Sequence, residues 1–369
     1  MDKKKILVVS HSFYPDNSPR AFRTTELVKE LCRQGHDVTL LSHWKTEMQD
    51  LIYDYGFHFL PLKEVTWKQP KIFSMGPFVK LSRIFIRFSK LFFEYPNIQL
   101  LWNVSKALKN EKGYDQLISI AVPYPVHWGV AMRWKKNSDL NPAKVWIADC
   151  GDPYMGGEND TFRPPFYFAW VEKWFCKKVT YLTVPTEGSI QGYYPEFHSK
   201  IRVIPQGFKF DEILLYTGDK DSNKPQFAYA GLFIKDRRDP SQLLQYLVSL
   251  PNDFVFHIYT KSPQLVHPFV AKSGGRIILH EPIPRKDLLF ELSKMDFVVN
   301  FENVGTIQTP SKLIDYAILK KPILSVTTDK LNSTIVDEFL NANYTHQVSV
   351  KNPDQYRIEN VVQKFISLA

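Results

Sequence analysis

Short apolar runs, each followed by a stretch with helical spacing, restrict this chain more than any other feature of its sequence. The first is Ile6-Leu7-Val8-Val9. Unbroken apolar character over so few residues suits a strand covered on both faces, as in a parallel sheet. A polar loop follows, in which Ser18 is a natural N-cap and Pro19 stands at the first helical position. Leu27, Val28, Leu31 and Cys32 keep helical spacing, and Gly35 marks the stop. Residues 38–41 supply the next strand, so the chain opens on a β-α-β unit. Strands are expected again over 116–120, 144–148, 180–184 and 201–204, with helices between them. Pro205-Gln206-Gly207 then breaks the chain, and residues 219–225 are polar and linker-like. The rhythm restarts with strands at 227–230, 254–259, 276–279, 297–300 and 323–326. The expected fold class is α/β, with one doubly wound domain over 1–206 and a second over 207–352. The amphipathic helix in 353–369, with Ile358, Val361, Val362, Phe365 and Ile366, needs a surface and is expected to pack back on the first domain.

A length of 369 residues fits two such domains, and 44% hydrophobic with 23% charged residues is ordinary globular usage. Lys+Arg number 47 against 38 Asp+Glu, a surplus of nine that suits phosphate-bearing partners: nucleic acid, anionic lipid or a nucleotide. Cys32, Cys150 and Cys176 are widely separated, which argues against a disulfide framework or a zinc site. No apolar stretch approaches the roughly 18–20 residues that span a bilayer, and the run at 6–9 is too short for a signal-peptide core. A cytoplasmic protein, at most peripheral to a membrane, is expected. Neither G-x-G-x-x-G after the first strand nor G-x-x-x-x-G-K-[ST] occurs, so nicotinamide and P-loop chemistry lose their main support. No cofactor and no metal are expected.

The densest block of chemistry is Thr309-Pro310-Ser311-Lys312-Leu313-Ile314-Asp315-Tyr316, continuing to Lys321-Pro322-Ile323-Leu324. It lies between two expected strands, so a helix opens at Pro310-Ser311 just past a strand's C-terminal end, where open α/β sheets place their ligands. A helix N-terminus offers free N–H groups and partial positive charge to a phosphate. Lys312 adds a full charge, and Asp315, one turn on, suits ribose hydroxyls.

This block resembles the donor-site helix of GT-B glycosyltransferases, in particular the bacterial polysaccharide and lipopolysaccharide type similar to glycosyltransferase family 4. Four further segments share the resemblance, in order along nearly the whole chain. They are the first strand and loop through Tyr14-Pro15-Asp16-Asn17-Ser18-Pro19-Arg20; Asp149-Cys150-Gly151-Asp152-Pro153-Tyr154; Ile204-Pro205-Gln206-Gly207; and Tyr229-Ala230-Gly231 with Arg237-Arg238-Asp239-Pro240. The resemblance implies two Rossmann-like domains facing across a cleft, with a nucleoside-diphosphate sugar held mainly by the second. Arg238, with Lys235 and Arg237 beside it, would neutralise the donor diphosphate and stabilise its departure without a metal. Pro310, Ser311 and Lys312 would reach the phosphates and Asp315 the ribose. Many retaining members carry a pair of glutamates at the positions held here by Ile307 and Asp315. Ile307 cannot bond a sugar hydroxyl, and Glu302 or Gln308 is the nearest substitute. In the first domain His127 is similar to the family's cleft histidine, and Asp152 is the carboxylate best placed to hold or activate the acceptor hydroxyl. Asp16, Asn17 and Arg20 are the candidates for acceptor contacts.

Residues 63–95 carry seven basic and two acidic side chains, more than half the surplus. On a helical wheel Lys80, Arg83, Arg87 and Lys90 form one stripe, while Phe78, Leu81, Ile84, Phe85, Phe88, Leu91 and Phe92 cover the other side. A basic amphipathic helix of this kind suits an anionic membrane surface. Nucleic acid is not expected as a partner, since no recognised module occurs. The expected function is transfer of a sugar from a nucleoside-diphosphate donor to a hydroxyl of a lipid-linked glycan, at the inner face of the plasma membrane, with retention. The alternatives are a GT-B nucleotide-sugar epimerase and a non-catalytic subunit that binds a membrane or a partner.

Overall fold

A computed structural model of the chain describes residues 2–68, 78–136, 138–151, 153–157, 163–219, 223–302, 311–350 and 352–369. The chain divides into two units, residues 1–208 with 355–369, and residues 209–354.

The first unit runs β1 (Lys5–Ser10), α1 (Pro19–Arg33), β2 (Asp37–Ser42), α2 (Met48–Tyr55), β3 (His58–Pro61), α3 (Phe78–Phe93), α4 (Gln99–Ala107), β4 (Tyr114–Ile120), α5 (Pro125–Arg133), β5 (Ala143–Asp149), α6 (Tyr167–Lys178), β6 (Tyr181–Val184) and β7 (Ile201–Val203). Its described strands form one parallel sheet in the order β3-β2-β1-β4-β5-β6-β7. Ser18 caps α1 as expected, its hydroxyl accepting from the Ala21 N–H at 3.1 Å. Successive residues of each strand point to opposite faces. Leu7 and Val9 therefore pack with Leu117, Trp146 and helices α4, α5 and α6, while Ile6 and Val8 pack with Ile118, Ile147 and α1. The edge strand β3 was not expected. Its side chains are half-buried or exposed and it ends on a proline, so it lacks the apolar run that marks the central strands.

The second unit runs β8 (Gln226–Ala230), α7 (Ser241–Ser249), β9 (Val255–Tyr259), α8 (His267–Val270), β10 (Ile277–His280), α9 (Arg285–Ser293), β11 (Phe297–Phe301), α10 (Ser311–Leu319), β12 (Ile323–Val326) and α11 (Ser333–Leu340). These strands are also parallel, in the order β10-β9-β8-β11-β12. Stacked Phe227, Phe256 and Phe297 centre one face, and Tyr316, Leu289 and Leu292 fill the other.

The last helix, α12 (Ile358–Ile366), belongs to the first unit. Ile358, Val361, Val362 and Phe365 are buried in the face that holds α1, and Gln116 Nε2 donates to the Phe365 carbonyl at 2.8 Å. Each sheet reverses its winding once, between β1 and β4 and between β8 and β11. Those two switch points open crevices at the carboxyl ends of the strands.

Candidate active-site edges of the two units

In the first unit the loop after β1 begins with His11, whose Nδ1 lies 2.9 Å from His43 Nε2. Burial, aided by the neighbouring His43, pushes His11 down to about 4, so the pair stays neutral near pH 7. Asp16 forms an ion pair with Lys45, and Asn17 is exposed beside it. Arg20 comes within 3.9 Å of Asp149, the last residue of β5. That carboxylate is the electrostatic centre of the edge. Arg23 Nε donates to Oδ2 at 2.5 Å and Nη2 to Oδ1 at 2.7 Å, and Thr183 adds a third bond at 2.7 Å. Burial works to raise Asp149, but the Arg23 guanidinium outweighs it and holds the carboxyl below the usual carboxylate range. Arg23 also donates to the carbonyls of Pro205 and Ile204 at 2.7 and 3.0 Å, fixing the end of β7. The Arg20 guanidinium lies over Gly151: a Cβ at that position would lie 1.6 Å from Arg20 Nη2, so a side chain there would displace the end of the arginine. Asp152 lies outside the described residues.

His127 does not face solvent. It is fully buried in the first turns of α5, stacked on Phe175 with ring centroids 5.6 Å apart. Its Nδ1 lies 2.8 Å from Ser119 Oγ, and its Nε2 lies 3.6 Å from the Cys150 sulfur. Trp146 Nε1 completes the chain by donating to Ser119 Oγ at 2.8 Å. Burial pushes His127 down to about 3. The expectation of a cleft-facing histidine is corrected: with both ring nitrogens engaged inside the core, His127 positions the ends of β4 and β5 and cannot touch a substrate from there.

In the second unit β8 ends at Ala230, and a tight turn follows in which the Arg238 N–H donates to the Ile234 carbonyl at 2.8 Å and Ile234 returns the bond at 3.2 Å. Asp236 takes φ 62 within it. Thr328 Oγ1 pins the turn by donating to the Arg237 carbonyl at 3.0 Å, and Asp239 caps α7 through Ser241. Lys235 and Arg237 are exposed, whereas Arg238 is half-buried. Its guanidinium faces the Tyr229 hydroxyl, opposing the burial that pushes that phenol up to about 12. The Arg238 Nε is buried with no hydrogen-bond partner among the described residues. A buried donor of a fixed cation left in this way is a ready seat for an anion.

Ser311 and Lys312 form the first turn of α10, their side chains outside the description, and Pro310, Ile307 and Gln308 also lie outside the described residues. Asp315 is described. Arg285 Nε donates to its Oδ1 at 3.1 Å and Nη2 to the same oxygen, while 24% of the Asp315 side chain stays exposed. Tyr316, next in sequence, is buried and donates to the Val299 carbonyl at 3.1 Å, which anchors α10 to β11. At the carboxyl end of β11, Asn300 Nδ2 donates to Ser325 Oγ at 3.0 Å, and Ser325 donates to Glu302 at 2.8 Å. Sequence reasoning missed Arg285. Its signal was available, since Pro284-Arg285 opens a helix directly after the end of β10.

No protein-family model and no curated protein matches the sequence. Solved structures do match over its full length. A glycosyltransferase from Rickettsia africae superposes with a TM-score of 0.60 at 13% identity, covering 100% of this chain and 98% of that one. HepE of Anabaena, solved in complex with UDP and glucose, gives 0.56 at 12% identity over 99% and 98%. A UDP-GlcNAc 2-epimerase from Methanocaldococcus jannaschii gives 0.51 at 13% identity over 98% and 99%. The chain has the GT-B fold. Within that fold the loop of Arg238 and the helix of Asp315 flank the switch point of the second sheet, β8 and β11.

Helix α3 forms a further face of the first unit. It spans residues 78–93 and leaves Lys80, Arg83, Arg87 and Lys90 exposed. Its apolar side is exposed too: Ile84 at 63%, Phe85 at 57% and Phe88 at 47%. The side chains of Phe78 and Leu81 lie outside the description. Tyr167 donates to the Phe92 carbonyl, which ties the start of α6 to the end of α3, and Phe166 and Trp170 there are exposed as well. Among the described residues no helix is long and apolar enough to cross a membrane.

Proposed function

We propose that this protein is a glycosyltransferase that moves a sugar from a nucleoside-diphosphate donor to a hydroxyl of a lipid-linked glycan, working at the inner face of the plasma membrane. The observation that carries the donor half is the buried, unpartnered Nε of Arg238 at the carboxyl end of β8. A diphosphate there would supply the missing acceptor, and the cation would hold the charge that develops as the leaving group departs. The N–H groups that open α10 offer a second set of donors. Asp315, oriented by Arg285, supplies acceptors for ribose hydroxyls. In the reaction the acceptor hydroxyl oxygen bonds to the anomeric carbon from the same face that the diphosphate oxygen leaves as that carbon–oxygen bond breaks, so the configuration is retained. The nucleoside diphosphate leaves with the electron pair, and the hydroxyl proton passes to a base, with Asp152 the candidate. Retention and independence of a metal belong to the proposal through the family resemblance, as do acceptor contacts by Asp16, Asn17 and Arg20. Lys235, Arg237 and Lys312 stand near the phosphates as supporting charges.

The exposed Phe85 and Phe88 beside a one-signed stripe support the membrane half. A surface that mixes apolar side chains with cations suits an anionic bilayer and is costly to leave in water.

Thermal shift with UDP-, GDP-, dTDP- and CMP-sugars tests the donor half. One nucleotide class is expected to stabilise the protein, and Arg238→Ala should weaken its binding about tenfold or more, the scale of a lost charge-assisted bond. Unchanged affinity in Arg238→Ala and Asp315→Asn would remove the donor site. The epimerase neighbour supplies the second reading: conversion of the donor to its epimer with no acceptor present would favour an isomerase over a transferase.

A further inference from the structure

Two histidines stand at the carboxyl edge of the first sheet, His11 directly after β1 and His43 directly after β2. Those strands are neighbours, which brings His11 Nδ1 within 2.9 Å of His43 Nε2. A neutral imidazole carries a single proton, and what its two nitrogens face decides which of them holds it. His43 is buried, and its Nδ1 faces the Leu62 carbonyl and, at 3.5 Å, Glu64 Oε1. The Leu62 N–H donates to the Ser42 carbonyl at 2.8 Å, so that residue is held beside the end of β2.

Neither contact of His43 Nδ1 closes to a full hydrogen bond. Yet a carbonyl and a carboxylate can only accept, so the proton of His43 belongs on Nδ1. Its Nε2 then holds a lone pair, and the 2.9 Å bond places the proton of His11 on Nδ1. His11 Nε2 is left with a lone pair. Among the described residues Nδ1 is the only ring nitrogen of His11 with a hydrogen-bond partner. Burial pushes His11 down to about 4, so no proton occupies that lone pair at neutral pH.

Other polar groups of this edge are committed elsewhere. Asp16 is paired with Lys45, Asp149 is held by Arg23, and His127 is enclosed in the core. His11 is half-buried, with a second ring fixing its tautomer from behind, which is how a general base and its orienting partner are built. We propose that His11 is the base of the transfer, taking the acceptor hydroxyl proton on Nε2, and that His43 is a positioning residue that holds its tautomer. The proposal rests on the transferase reading given above and moves the proton from Asp152 to His11. In the step the acceptor O–H bond breaks and leaves its electron pair on the oxygen, which bonds to the anomeric carbon through a lone pair. The nucleoside diphosphate departs with the pair of its own broken bond. The proton rests on His11, where the neighbouring Asp16 carboxylate favours the imidazolium, and passes to water once the products leave.

Two measurements test it. Nitrogen NMR of the histidine rings in the unmodified protein reads the tautomer without any substrate, and His11 should carry its proton on Nδ1. Release of nucleoside diphosphate from the UDP-, GDP-, dTDP- and CMP-sugars, with water standing in for the acceptor, reads the chemistry. His11→Gln should lower kcat about a hundredfold or more while the KM for the nucleotide sugar stays within about twofold. In His11→Ala added imidazole should restore turnover, at a rate that rises with the unprotonated fraction of the imidazole. His43→Phe should lower kcat about tenfold more than His43→Gln, whose amide oxygen can still accept from His11 Nδ1. A proton on His11 Nε2 at neutral pH would overturn the proposal whatever the variants do. Turnover by His11→Gln at the unmodified rate would overturn it too and return the proton to Asp152, leaving the transferase reading intact. No nucleoside diphosphate released by the unmodified protein would overturn both.

Discussion

His127 and Arg238 are both polar residues just past the end of a strand, yet the structure treats them in opposite ways. Both ring nitrogens of His127 are engaged inside the core, while Arg238 keeps a buried donor unmet. Sequence places both at strand ends but is silent on which way a side chain turns in the first helical turn after the strand. Arg238 follows a tight turn pinned by Thr328 and turns its guanidinium toward the Tyr229 hydroxyl, whereas His127 sits in a helix whose residues are buried on nearly every side. The histidine has a measurable consequence. In the unfolded chain it takes up a proton near pH 6.5, and in the folded protein only near 3, so its share of stability is full above 6.5 and is lost as pH falls through that window. At pH 5 the loss amounts to about 2 kcal/mol relative to neutral pH. Urea unfolding of the unmodified protein and of His127→Gln across this range should show a shallower pH slope in the variant, whatever its absolute stability. Parallel slopes would mean that His127 protonates in the folded state. His11 acts in the same direction and supplies part of the slope that remains.

Among elements, the central strands were legible because a parallel strand covered on both faces must be apolar throughout, as Ile6 to Val9 and Phe297 to Val299 are. Strand β3 was not, because an edge strand has no such demand. Helix α3 was legible in extent but not in orientation: the wheel separates Lys80, Arg83, Arg87 and Lys90 from the phenylalanines without saying which side meets the protein. In the structure the buried contact is narrow, centred on Ser82 with half-buried Ile86 and Ser89, so the aromatic side is left outward. The pairing of Asp315 with Arg285 was likewise hidden, since α9 and α10 are separated in sequence by β11 and meet only where both pack on the same face of the sheet. Helix α12 has the opposite character. Phe365 is fully buried and lies under the Arg23 guanidinium, 5.5 Å from its carbon to the ring centroid. Phe365→Ala should therefore cost about 3–5 kcal/mol in urea unfolding; a change below about 1 kcal/mol would mean that the helix is a loose appendage.

For the molecule as a whole, the two units make separate predictions. If the donor sits at the Arg238 edge, a bound nucleoside diphosphate should slow hydrogen exchange in residues 231–240 and at the start of α10. Exchange in α12 should stay unchanged, because it belongs to the other unit. Protection confined to the first unit would reassign the nucleotide. The return of α12 also sets a schedule for biosynthesis. Residues 209–354 are interposed between the sheet of the first unit and the helix that covers it. While a ribosome makes that insertion, the face of Ile6, Val8 and Ile118 has α1 over it but lacks α12, and the gap is a target for chaperones or for a wrong neighbour. The unit that is translated first is thus completed after the one that follows it.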